Sequence, residues 1–133
     1  LPGERVARFE EALGVIKSLF TEERATFDGR YYQLADAPFE PKPVRPGGIP
    51  IVVGTSGARM LRLVARHADR WNMVGSPEEI AERGKLLLDA CAAIGRDPGE
   101  IRWSAAAWAG RVGGDPLASP EFFVPSSGET SRR

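Results

Sequence analysis

The sequence holds one cysteine and one histidine in 133 residues, and each scarcity excludes a class of chemistry. A lone cysteine permits no internal disulfide framework and no cysteine-rich metal site. Placed on the apolar side of a helical segment, Cys91 reads as a buried structural thiol. The lone histidine, His67, with acidic residues scattered over helix faces, gives no expectation of a metal centre. A serine triad is excluded as well. Ser56 is followed by Ala58 where a nucleophile elbow needs glycine, and His67 lies roughly 16 Å away along the same helical segment.

Net charge is missing too. Lys plus Arg and Asp plus Glu number 18 each, so no overall field draws the chain to nucleic acid or to an anionic membrane. No apolar run approaches the roughly 20 residues of a membrane span, and no basic-then-apolar leader is present. The expectation is a cytoplasmic protein with neither kind of partner. The sequence begins at Leu1 and not at Met, which adds the expectation of a piece of something larger.

What is present is an alternation of patterns. Val6, Phe9, Leu13, Ile16 and Phe20 recur at helical spacing over residues 4–20, predicting an amphipathic helix. Ala25 to Leu34 predicts a hairpin, with Asp28-Gly29 as a type I′ turn at positive φ. Five prolines and two glycines between Pro38 and Pro50 predict an extended loop. Ile49–Val53 then reads as a short strand buried on both faces. The helix after it has Met60, Leu61, Leu63, Val64 and Ala68 on one side, with Arg59, Arg62, Arg66 and His67 opposite.

A second strand is expected at Arg70–Val74, and Ser76-Pro77-Glu78-Glu79 spells a capping box that opens another helix. Ile80, Leu87, Ala90, Cys91 and Ile94 carry its apolar face, Gly95 and Pro98 end it, and Gly84 inside it costs about 1 kcal/mol relative to alanine. Ile101–Trp108 is the third strand. Strands and helices alternating across short loops imply an α/β fold with parallel pairing, and three strands cannot close a barrel. Residues 109–133, with Phe122, Phe123 and Val124 as the apolar cluster, read as an irregular or disordered tail.

Two junctions between strand and helix attract chemistry. In Gly54-Thr55-Ser56-Gly57-Ala58-Arg59 an apolar strand ends in a small-residue loop whose helix presents unpaired N–H groups to an anion. Arg70-Trp71-Asn72-Met73-Val74-Gly75-Ser76 repeats the design, and two adjacent junctions suggest a phosphate-bearing cofactor. Neither a P-loop nor a dinucleotide fingerprint is spelled out.

The ordered segments Arg8-Phe9-Glu10-Glu11-Ala12-Leu13, Phe27-Asp28-Gly29-Arg30-Tyr31-Tyr32 and Pro50-Ile51-Val52-Val53-Gly54-Thr55-Ser56-Gly57 carry a resemblance that continues through Met60 to Asn72 and Ser76 to Ile80. Over residues 4–107 the chain resembles the bacterial luciferase-like monooxygenase family, most closely its coenzyme F-420-dependent group. The resemblance implies an α/β fold that is the later part of a (β/α)8 TIM barrel, incomplete in this chain, with residues 1–108 as the partial barrel domain. It implies an oxidoreductase that passes hydride between coenzyme F-420, a deazaflavin, and a small organic substrate. FMN with oxygen chemistry and a truncated, non-catalytic fragment are the alternatives, and the parent protein is expected to be a homo-oligomer.

No catalytic acid or base carries over, because the family's early strands supply them. The phosphate end of the cofactor site does carry over, onto Gly54, Thr55, Ser56, Gly57 and Arg59 and onto Trp71, Asn72, Val74 and Gly75. Met60 stands where many relatives have a hydroxyl residue, which leaves more of the phosphate to backbone N–H groups. The tail after Trp108 departs from the family pattern.

Overall fold

A computed structural model describes residues 2–108 and 122–123 of the chain. They fall into two compact units, residues 1–50 and 51–133. In the first, helix α1 (Pro2–Thr21) is followed by strands β1 (Arg24–Asp28) and β2 (Gln33–Pro38), paired antiparallel. Gly14 of α1 lies against the Phe27 ring, and Leu13 and Ala25 are buried beside that contact. Lys42 Nζ–H donates to the Leu19 and Glu22 carbonyls, closing the C-terminal end of α1.

The hairpin is present, but its turn is not the one expected. Neither Asp28 nor Gly29 has positive φ, and four residues, Gly29 to Tyr32, join the strands. The Glu11 carboxylate on α1 accepts the N–H groups of Arg30 (3.1 Å), Tyr31 (2.8 Å) and Tyr32 (3.2 Å). A carboxylate from a distant helix therefore shapes this loop, and the intrinsic twist of a two-residue turn is not needed. Gly29 is kept by crowding, since a Cβ there would collide with Glu11 and Phe27.

The second unit runs β3 (Val52–Gly54), α2 (Ala58–His67), β4 (Arg70–Val74), α3 (Pro77–Ala93), a 3-10 turn at Pro98–Glu100, and β5 (Arg102–Trp108). β4 lies between β3 and β5, parallel to both. Val53, Trp71 and Trp103 share one row and one face of this sheet, and Trp103 packs on Gly84 of α3, which puts α3 on that face. α2 packs against α3 and buries Leu61, Leu63, Val64 and Ala65, while α3 buries Gly84, Leu87 and Cys91. No described helix is long and apolar enough to cross a membrane.

One expectation changes here. β3 begins at Val52, not Ile49, and is buried on one face only: Val53 is 3% exposed, whereas Val52 is 56% exposed and Gly54 is open. An all-apolar run does not distinguish a strand covered on both sides from one covered on one. In the segment expected to be an irregular tail, Phe122–Phe123 forms a short strand, β6, antiparallel to Ala107 and Trp108 of β5. The rest of that segment, 109–121 and 124–133, lies outside the described residues.

Candidate functional site

Thr55 is the pivot of the loop that leads from β3 into α2. Its N–H donates to the Asn72 carbonyl (3.1 Å), its Oγ1 accepts the Gly57 N–H (3.3 Å), and its carbonyl accepts the Trp71 indole N–H (2.7 Å). Three contacts thus hold one residue. Ser56, Gly57, Ala58 and Arg59 stand exposed around it.

Among the described residues, nothing packs where a side chain at either glycine of this loop would stand. Gly57 sits at φ −77°, which any residue adopts, and Gly54 is not at positive φ. A Cβ at either position would meet no atom within 4 Å. What glycine adds at both is access to the backbone from outside. Beyond them, the N-cap of α2 makes no side-chain hydrogen bond, and the first turn carries Arg59 and no acid. A cation in this position opposes the helix dipole, and an anion would satisfy both the guanidinium and the open N–H groups.

The second junction is closed, contrary to the expectation of free donors there. Gly75 N–H donates to the Ala106 carbonyl (3.3 Å), Ser76 N–H to Glu79 Oε2 (2.8 Å), and Glu79 N–H to Ser76 Oγ (3.2 Å). The capping box is complete, and β5 takes the donor that sequence alone left open. Gly75 is also accounted for by packing, because a Cβ there would lie 3.0 Å from Glu79 Oε2 and 3.2 Å from Met73 Cε. Val74, half exposed, and Ser76 are the residues of this junction that stand exposed.

Trp71 lies beneath the first loop, not on a surface that a ligand would touch. It is 1% exposed and meets Trp103 edge to face, with centroids 5.0 Å apart and planes at 87°. Its contribution is to hold Thr55 from below. Asn72, half-buried, belongs to the opposite face, in one row with Gly54 and Ser104 across the three strands. Its amide Nδ2–H donates to Ser104 Oγ (3.0 Å), and Ser104 donates on to the Trp71 carbonyl (3.2 Å). Ser104 was not singled out by the sequence. A lone hydroxyl among the alanines and tryptophans of β5 was the signal, but its partner depends on register.

Among the described residues no group of three or more His, Cys, Asp or Glu is placed to hold a metal ion. Cys91 is fully buried, and that burial pushes its thiol above the ordinary value, against a smaller opposing effect of Arg96.

The profile of the luciferase-like monooxygenase family matches residues 2–109. Over 101 residues the chain is 42% identical to an F-420-dependent glucose-6-phosphate dehydrogenase of Kineococcus radiotolerans, covering 74% of this chain and 29% of that protein. Over 97 residues it is 38% identical to an uncharacterized protein of Mycobacterium tuberculosis, covering 72% and 34%. An F-420-dependent secondary alcohol dehydrogenase, solved with an F-420-acetone adduct, superposes with a TM-score of 0.68 at 20% identity over 77% of this chain and 32% of that one. The coenzyme F-420-dependent tetrahydromethanopterin reductase of Methanopyrus kandleri gives 0.66 at 19%, over 78% and 30%. The chain therefore spans about a third of the length of the curated relatives it matches. Its fold is part of a (β/α)8 barrel, built on a parallel sheet.

Proposed function

Because this chain belongs to the luciferase-like monooxygenase family, we propose that it holds the phosphate end of the cofactor in an oxidoreductase that works with coenzyme F-420. The single observation behind this reading is the open junction at the start of α2. Two glycines that packing among the described residues does not require stand beside an uncapped helix N-terminus and Arg59. The named relatives support the choice of deazaflavin, since several are F-420-dependent enzymes. The same reading treats residues 1–108 as one partial barrel domain.

In this reading the backbone of Gly54, Thr55, Ser56 and Gly57 approaches the phosphate, and Arg59 offers its guanidinium. Trp71 and Asn72 act at one remove, fixing Thr55 from β4. Val74 and Gly75 border the site without donating to it. Bound coenzyme F-420 supplies hydride chemistry toward a small organic substrate, and these residues supply position and charge. No acid or base is assigned to the chain.

Titration with coenzyme F-420 and, separately, with FMN, followed by cofactor fluorescence, tests the proposal. Saturable binding of the deazaflavin at lower concentration than FMN is expected. Binding of neither sinks it.

A further inference from the structure

The sheet of β3, β4 and β5 has two unlike faces. Val53, Trp71 and Trp103 lie on the side of α3, so the alternate residues belong to the face turned away from that helix. In a (β/α)8 barrel the helices lie outside, and this second face is the lumen. Val52 (56% exposed) and Val74 (51% exposed) stand on it, with Asn72 and Ser104 between their levels. At the N-terminal ends of the strands, one row on this face runs Val52, Arg70, Arg102.

Two arginines are therefore direct neighbours on adjacent strands, whose backbones run about 4.8 Å apart. Arg70 is half-buried and Arg102 is exposed, and among the described residues neither side chain makes an ion pair or a hydrogen bond. The acid next to Arg70 in sequence, Asp69, accepts the Ile51 N–H (2.8 Å). Like charges side by side on a sheet oppose its formation, and enclosing them in a barrel without a counter-charge opposes it more. One carboxylate has two oxygens, one for each guanidinium, and would turn this repulsion into attraction. A second copy of the same face would double the positive charge.

We propose that the lumen face of β3, β4 and β5 docks against barrel strands outside this chain that bring one Asp or Glu carboxylate between Arg70 and Arg102. Apolar side chains of the same strands cover Val52 and Val74. The fold supplies the place for them, since a (β/α)8 barrel has eight strands and this chain spans about a third of the length of its relatives. The row lies at the far end of β4 from the phosphate junctions, roughly 13 Å along the strand from Val74. The proposal is thus independent of the phosphate reading.

Acetate serves as the carboxylate probe, exchanged for chloride at constant ionic strength while the arginine Nε–H signals of the 133-residue chain are followed by NMR. Arg70 and Arg102 are expected to respond together, half-saturating at about fivefold lower acetate than the exposed Arg5 of α1. Arg102→Gln should return Arg70 to the response of Arg5. The same substitution should raise the urea midpoint of the chain, because it relieves repulsion. It should lower the midpoint of a chimera in which this chain replaces its matched segment of the Kineococcus radiotolerans enzyme, because there it removes an ion pair. Equal response of Arg70, Arg102 and Arg5 overturns the proposal by itself, whether or not the chimera folds. A raised midpoint in the chimera as well overturns it, since the closed barrel then brings no carboxylate to the row. Self-association of the chain that Arg102→Gln strengthens gives the face to a second copy and overturns it too.

Discussion

Trp71 shows how a residue beside a strand end serves a site without touching a ligand. Its ring is buried against Trp103 while its single polar atom reaches up to the Thr55 carbonyl. A buried indole needs a partner for that N–H, and here the partner is the loop itself. Trp71→Phe keeps an aromatic ring under the loop and removes the donor. We expect a loss of about 1–3 kcal/mol in urea unfolding. Faster amide exchange at Ser56 and Ala58, with α3 little changed, should accompany it. Uniform acceleration across the unit would mean that the residue acts through general packing alone. The identity of Trp71 was readable from the sequence, but its orientation was not: alternation along β4 says only that Trp71 and Asn72 face opposite ways, and not which face the helices cover.

Among the elements, α2 and α3 solve their ends differently. α3 opens with a complete capping box that four consecutive residues encode, so its start was visible in the sequence. α2 opens without a cap and closes on Arg96, whose guanidinium N–H groups donate to the Ala65 (2.8 Å) and Ala68 (2.9 Å) carbonyls. That closure joins residues far apart in sequence and was not visible. Gly84 is the other element-scale surprise, because a helix-weakening residue in mid-α3 has a reason only in three dimensions. A Cβ there would lie 2.6 Å from the Trp103 ring. Gly84→Ala gains about 1 kcal/mol of helix propensity and loses about 1–3 kcal/mol to overpacking. Net destabilisation on chemical unfolding is therefore expected, and Trp103→Phe in the same background should recover part of it. A stabilised Gly84→Ala protein would show that the Trp103 ring moves aside freely.

At the scale of the molecule, the Pro38–Pro50 segment is the last part of the first compact unit, and its Val44 is fully exposed. Elastase, which accepts valine, is expected to cut first after Val44 and release two pieces, detected by intact mass. A first cut inside α2 or α3 would contradict the division. Periodicity, the capping box, the proline cluster and the parallel α/β order are local properties, written into neighbouring residues, and the sequence determined them by itself. The type of the hairpin loop, the one-sided cover of β3, the closed second junction and the buried place of Trp71 depend on partners 19 to 33 residues away. Only the tertiary structure decided these. A carboxylate, a neighbouring strand or an aromatic ring satisfies a backbone group wherever the fold brings it, and local pattern carries no record of that distance.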